Sequence, residues 1–520
     1  PTIQQIFNLL PLPDGQGSTS DISAIDHFAS PDNLNSYAWT GKLDHTLTSK
    51  HQIHLRYAFN RNVDSNPFHT EFAPGIDEIA SPSYSHGVLA GLTSTFSNTV
   101  INDFRFGWNK VYAAFNSNCG NLLDPITGVD ALGNGRDFFV PNGVLGIGPQ
   151  SDLGCNALFS ATGQARNTGT TSYSDTLTWV KGNHTFKFGG DFRNVRSSGY
   201  DDFVSRDVLL FNNIEFGGPL AFPVNPGDNP DPVTEDMAWF LVGGIAAQEQ
   251  FQFFNKAGVR VATDTKSFRQ READGFIGDS WKIRSNLTLN LGIRYQFNGV
   301  PFETGGNFSN LFQNPDSFDP TYTFTVVGPG TRGMYNNDYK DIEPRIGFAW
   351  DPFKTSKTSI RGGYGIFHDR IFDNLFGNAR SNPPFQSVPT AFFLGGATPE
   401  SAPFLTSTPP GLTYTNGDFV QATLLDPNIV MPASQNWNFG MQQQIAAGLV
   451  VEADYVGSHG THVIRLVDAV PPDPALVQQA ITDCVTAAVC APGDPQGIIS
   501  GPVLYTGIPG VAAPSIRETA

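Results

Sequence analysis

From Asn286 to Gly299 the chain reads NLTLNLGIRYQFNG, with a hydrophobic residue at every second place. Leu287, Leu289, Leu291, Ile293, Tyr295 and Phe297 share one phase, and Asn286, Thr288, Asn290, Gly292, Arg294 and Gln296 share the other. A period of two puts the sets on opposite faces of a β-strand. The run is about twice as long as an ordinary globular strand of roughly five or six residues. One face is wholly apolar and ends in aromatics, so the question it poses is whether that face meets a protein core or lipid.

The alternation recurs along the chain. Residues 37–47 set Trp39, Gly41, Leu43 and Leu47 against Thr40, Lys42, Asp44 and Thr46, and residues 51–61 set Ile53, Leu55, Tyr57 and Phe59 against His54, Arg56 and Asn60. Five more pairs of segments follow: 84–96 with 99–112, 171–180 with 184–195, 273–283 with the opening run, 343–352 with 358–369, and 434–445 with 448–458. The pattern predicts roughly twelve strands in six hairpins. Within a hairpin the link is short. Between hairpins it is long (62–82, 113–169, 197–270, 299–339, 369–433, and 460 onward) and rich in Pro, Gly, Asn, Asp and Ser. Strict alternation of short and long links gathers every turn at one end of an antiparallel up-and-down sheet and every loop at the other. That is the topology of an outer-membrane barrel, with short periplasmic turns and long extracellular loops. Unstructured loops beyond about 15 residues are uncommon in soluble domains.

The tryptophans repeat the message. Trp179, Trp281 and Trp350 lie next to short turns, and Trp39, Trp108 and Trp437 lie near the loop ends of their segments. Two levels match the two aromatic girdles of a barrel, one at each membrane interface. The apolar phase is therefore expected to face lipid. Asp175 and Asp279 dissent, since both share the phase of the tryptophans. Asp279 is close to an interface, where an acid costs little. Asp175 is deeper and is expected at a bulge or an edge.

Composition agrees. Charged residues are 15% of the 520, against roughly 25% in an average soluble protein. Mean hydropathy is −0.20, and no apolar run approaches the roughly 18 residues of a membrane-spanning helix. In a barrel the two phases average out in this way. The net charge of −17 argues against a nucleic-acid partner, whose phosphates need a basic footprint. Cys119, Cys155, Cys484 and Cys490 fall in irregular stretches and allow two loop disulfides in an oxidising compartment, with the pairing left open.

Reaction chemistry is not evident, and no cofactor or metal site is expected. Gly328-x-Gly330-x-x-Gly333 matches a dinucleotide fingerprint by pattern, but Pro329 stands inside it and no helix pattern follows, so a turn is expected. His51 and His54 sit three apart on a strand and so point to opposite faces; His459 and His462 lie at a strand end and read as a chance surface pair. The acidic stretch 227–236 lacks EF-hand spacing. It leads instead into a short helix with Thr234 as N-cap and Gly243-Gly244 as stop. The polar phase of the strands is more suggestive. Lys42, Asp44, Arg56, Asp103, Arg105, Lys187, Asp191, Arg193, Arg294, Arg345, Arg361, Glu452 and Asp454 all fall in it. They are expected to line a lumen, mostly paired with one another rather than touching a solute.

Residues 275–303, GFIGDSWKIRSNLTLNLGIRYQFNGVPFE, resemble a signature hairpin of TonB-dependent outer-membrane receptors, in particular the Oar-like group: a strand ending in Asp-x-Trp-Lys, then a strand of LTLNLGLRY type. Residues 41–61, 178–193, 343–353 and 453–465 are similar to other parts of that barrel, in order, so the resemblance covers about 36–465 apart from loops. The family implies a barrel of about 22 strands, an N-terminal plug, frequently a carboxypeptidase-regulatory-like β-sandwich, and energy from the TonB–ExbB–ExbD complex. No plug, TonB box or signal peptide is recognisable in this sequence, which starts at Pro1 and ends in loop-like SIRETA, so it reads as an internal piece of a longer protein. The expected organisation is a linker over 1–35, barrel over 36–465, and a long loop or further barrel over 466–520. The expected function is the barrel portion of a transporter for a large or scarce solute, resident in outer-membrane lipid. The alternatives are a structural or adhesive surface barrel and, with less support, a secreted carbohydrate-binding β-sandwich, which would need a second sheet over each apolar face.

Overall fold

The computed structural model describes residues 2–8, 33–65, 79–117, 119–141, 150–152, 164–201, 205–211, 243–312, 321–371, 373–415, 422–468 and 516–519. Its main body is one antiparallel sheet of twelve long strands joined in sequence order. They are β1 (Asn33–Thr48), β2 (His51–Ser65), β3 (Ile79–Ser97), β4 (Val100–Ser117), β5 (Gln164–Lys181) and β6 (His184–Asp201), then β7 (Lys266–Arg284), β8 (Leu287–Asn298), β9 (Ile342–Trp350), β10 (Thr358–His368), β11 (Ala433–Ala446) and β12 (Leu449–Thr461). Each of the twelve segments read from the alternation is one of these strands. Among the described residues β1 pairs only with β2, and β12 only with β11, so the sheet they form is open.

Five hairpins turn on two residues. Gly182 (φ 60°) and Gly448 (φ 80°) supply the left-handed backbone that such turns need. The β3–β4 and β7–β8 turns sit one residue later than the alternation suggests, at Asn98-Thr99 and Ser285-Asn286. In four hairpins the register slips beside the turn, and the extra residue is Leu47, Phe96, Ile283 or Ile445. Each is apolar and in the phase of the tryptophans. The bulge absorbs one residue and keeps the apolar phase unbroken up to the turn.

At the opposite end the strands run further than expected. β3 and β7 have 19 residues, and β4, β5 and β6 have 18, against about ten needed to cross a bilayer. Trp39 and Trp108 therefore fall within their strands rather than near the strand ends. Asp175 is also placed differently from expectation. It lies in the regular middle of an interior strand, opposite Phe104 and Gly190, and accepts a hydrogen bond from Asn102 Nδ2 at 2.9 Å. A partner on the same face, rather than a bulge or an edge, accommodates it.

The long connections are folded. Residues Asp207–Leu210, Ile245–Glu249 and Thr390–Ala397 join Arg136–Pro141 and Gln150–Asp152 in a five-stranded sheet, and four smaller sheets link other loops. Cys119 opens a short helix, Cys119–Thr127, rather than an irregular stretch. The remaining cysteines and the helix expected after Thr234 lie outside the described residues. The glycine-rich stretch after Thr325–Val327 is a turn, with Thr331 N donating to Gly328 O at 3.1 Å and Gly330 at φ 77°.

The buried core sits in these loops. Among the described residues Leu209, Phe211, Ile245, Phe308, Phe324, Met334, Phe385 and Leu425 are the largest fully buried side chains, and all are loop residues. One cluster joins Phe268, at the loop end of β7, to Phe308, Met334, Phe376, Leu425 and Met431. Two buried asparagines fasten it. Asn310 Nδ2 donates to Met334 O and Leu425 O at 2.9 and 2.8 Å while its Oδ1 accepts from Leu425 N. Asn382 does the same for Ser309 O, Thr423 O and Thr423 N. A side-chain amide mimics a peptide here and satisfies loop backbone that has no strand partner. In the sheet, by contrast, the apolar phase stays open. Ile277, Ile293, Ile346 and Phe439 remain about half exposed, and no second sheet covers them among the described residues.

Candidate functional site

Cross-strand register assigns faces without reference to side-chain conformation, because directly opposed residues point the same way. The six tryptophans of the long strands lie on one face. Trp39 opposes Phe59, Trp108 opposes Val88, Trp179 opposes Phe186, Trp281 opposes Leu289, Trp350 opposes Leu287, and Trp437 opposes Tyr364. The thirteen charged residues named from the polar phase lie on the other face. His51 and His54 are split between the two: His51 Nδ1 meets Ser94 Oγ on the apolar face, and the His54 ring fills the space where a Cβ on Gly91 would stand on the polar face.

Charges on the polar face pair within a strand before they pair across strands. Lys42–Asp44, Asp103–Arg105, Asp191–Arg193 and Glu343–Arg345 are each acid and base two residues apart, at 2.8, 2.8, 2.5 and 2.7 Å. Spacing of two keeps both on one face. At the loop ends of β6 to β10 these units merge. Arg193 also reaches Glu272 at 3.5 Å, Arg370 from the loop after β10 reaches the same Glu272 oxygen at 3.3 Å, and Arg294 pairs with Asp274 at 2.6 Å. Arg294 and Arg345 lie over Phe276 and Phe367. Glu343 accepts from His368 N at 2.8 Å, and His368 Nε2 lies 3.8 Å from Asp341. Burial, reinforced by nearby Asp338, pushes the Asp341 carboxyl up to about 6.

Arg56, Arg193 and Arg370 line one cavity of about 430 Å³ beneath the loops, together with Gly87, Gly107 and Asn109. The small residues on β3 and β4 make the room. The other named residues stand apart. Arg361 donates to Ser359 Oγ at 3.1 Å, and Glu452 accepts from Gln442 on the edge hairpin. Asp454 faces Gly440 across that hairpin. Sequence reasoning passed over Glu272, Asp274, Glu343, His368 and Arg370. Asp274 and Glu343 were legible as polar-phase acids two residues from Phe276 and Arg345. Glu272 lay just outside the recognised segment, and Arg370 is a loop residue with no periodicity to expose it.

Above this mouth a second polar network holds the loops. Asp207, wholly buried, pairs with Arg136 Nε at 3.0 Å and accepts from Gln248 Nε2. Arg136 also donates to Pro399 O and Ala402 O at 2.6 and 2.5 Å. Gln248, Gln250 and Gln252 are buried side by side and donate to Pro403 O, Ser205 O and Leu405 O. Burial pushes the Asp207 carboxyl up to about 6 against the pull of Gln248 and Arg136.

A family model described as an outer membrane beta barrel domain matches residues 1–500. The chain belongs to that family. This outer-membrane barrel domain accordingly places its open apolar face in the lipid of the outer membrane. Among solved structures it is similar to the outer membrane transporter YddB from Escherichia coli (TM-score 0.47, 10% identity, 85% of this chain and 42% of that one). It is also similar to the ferripyoverdine receptor of Pseudomonas aeruginosa (0.43, 11%, 85% and 44%) and the alcaligin receptor FauA from Bordetella pertussis (0.40, 8%, 85% and 46%). The chain spans under half the length of these proteins. No curated protein matches it.

Proposed function

We propose that this domain is the barrel portion of a TonB-dependent transporter for a large or scarce solute, which its folded loops capture first. The observation that carries the reading is the joining of loops to mouth. Arg370 from the loop after β10 completes an ion-pair network on the lumen side of β6 and β7, directly under a loop assembly with its own core. A loop that moves on binding solute would disturb Glu272, Arg193 and the wall beneath. The Asp279-x-Trp281-Lys282 strand and its LTLNLGIRY partner support the TonB-dependent assignment by resemblance. In this reading the six tryptophans form the girdles and the thirteen charged residues face the lumen, where they pair mainly with each other and hydrate it or meet a plug. The partners are outer-membrane lipid, the TonB–ExbB–ExbD complex acting through a plug, and the solute. We assign the domain no catalytic step.

The test is solute depletion from a rich medium by cells carrying the whole protein, with TonB present and with TonB deleted. Depletion of at least one solute only when both are present is expected. Membrane residence with identical depletion in the two strains would refute transport and leave a surface or adhesive barrel.

A further inference from the structure

On the apolar face, beyond the loop-side tryptophans, the register lines up cations that the sequence pattern does not reveal. Phe59, His86, Lys110, Gly169, Arg196 and Arg269 are successive cross-strand partners in one row from β2 to β7. Arg61 lies one place farther out on β2, between Tyr37 and Tyr84. Arg271 lies one place nearer the turns on β7, opposite Asn194. Lys110 is two residues beyond Trp108 on the same strand, and Arg61 is opposite the residue two beyond Trp39.

Three features separate this row from ordinary surface charge. First, no Asp or Glu occupies the outward phase of β1 to β8 beyond the tryptophan level, in a chain of net charge −17. Second, the cations have no carboxylate partner among the described residues; on the other face Arg105, Arg193, Arg294 and Arg345 each have one within 2.8 Å, although Arg56 and Lys187 there have none. His86 meets Tyr57 OH and the Phe59 ring, and Arg61 lies over the Tyr37 ring. Third, like charges face each other directly where Arg196 opposes Arg269. Such pairs destabilise a sheet unless an anion lies between them. Gly169, which separates Lys110 from Arg196, leaves a side-chain-sized gap in the row.

We infer that this face binds the phosphorylated head groups of anionic lipid in the outer leaflet. The inference rests on the membrane placement with loops outward given above. The geometry fits the chemistry. Arginine and lysine match phosphate oxygens, Lys110 follows Trp108 by two residues on the loop side, and the aromatic surface of Trp39, Phe59 and Trp108 on the turn side meets acyl chains. One lipid phosphate would neutralise the Arg196–Arg269 pair, and a second would meet Lys110 beside the gap at Gly169.

The probe is lipid A carrying both phosphates, compared with the same lipid dephosphorylated, each in phosphatidylcholine nanodiscs holding the whole protein. Retained lipid is read by native mass spectrometry. The wild type is expected to prefer the phosphorylated form at least tenfold. The variant K110Q/R196Q/R269Q is expected to lose that preference, while K187Q on the lumen face keeps it. Heat-modifiable gel mobility of each variant confirms folding. Inorganic phosphate at millimolar concentration is expected not to compete, which separates a lipid site from a free-anion site; full competition would overturn the lipid assignment. Equal retention of the two lipids by folded, membrane-resident wild type would overturn the inference while leaving the barrel reading intact. Failure to reside in the outer membrane would overturn both.

Discussion

Replacing Arg136 with Met tests whether the loop assembly hangs on its buried ion pair. The Arg136 side chain is 7% exposed and Asp207 0%. Removing the guanidinium deletes the contact to Asp207 and the two bonds to Pro399 O and Ala402 O, and it strips the cation from the Phe404 ring. Leaving one partner of a buried pair uncompensated costs about 3–5 kcal/mol. Protonation of Asp207 limits the loss, because its carboxyl already stands near 6 with Arg136 present and rises further without it. The variant should therefore be less impaired at pH 5 than at pH 8. In the wild type the sign is the same but smaller. A folded value of about 6 above an unfolded value of about 4 means loop stability falls as pH rises through that window, by about 3 kcal/mol at most, and is flat above it. The assay is hydrogen exchange of residues 245–249 and 390–397 in detergent micelles, with heat-modifiable mobility reporting on the barrel. Protection should fall by two orders of magnitude or more while the barrel signal stays. The double variant R136M/D207L should regain the part due to the uncompensated carboxylate, since an apolar pair can replace a buried ionic one, but not the part due to the lost bonds to Pro399 O and Ala402 O. A single variant within about 1 kcal/mol of wild type, or a double variant no better than the single, would refute the reasoning.

Other consequences are as direct. Phe308→Ala empties a fully buried site in the loop cluster around Phe268 and should cost about 3–5 kcal/mol, seen as faster exchange in 321–335. Asn310→Leu keeps approximate volume but leaves two carbonyls and one N–H without partners, so a loss of about 2–4 kcal/mol in the same exchange assay is expected. Ile277→Lys puts a charge in the middle of the open apolar face and should cost about 2–4 kcal/mol, read as reduced recovery in the outer-membrane fraction. Ser280→Lys on the lumen face should assemble normally.

The strands were legible because their chemistry is periodic. A residue between water and lipid is constrained by its face alone, so twelve segments, their order and the phase of six tryptophans could be read from the sequence alone. Strand ends were not legible. Beyond the membrane both faces of β3 to β7 meet polar surroundings or other loops, and the constraint that produces alternation lapses even though pairing continues. The loops were opaque for a related reason. Their core joins Phe268, Phe308, Phe376 and Leu425 across stretches distant in sequence, and Asn310, Asn382 and Gln248 earn their roles from backbone brought to them by folding. The row of cations on the apolar face was hidden in plain sequence too. Lys110, Arg196 and Arg269 are unremarkable singly; only the register, set by hydrogen bonds between strands, makes them neighbours. The sequence alone therefore determined which side of each strand meets lipid, because that depends on one residue and its solvent. Tertiary structure decided which charges stand together and where the loops close, because those depend on pairs of residues that the chain itself keeps far apart.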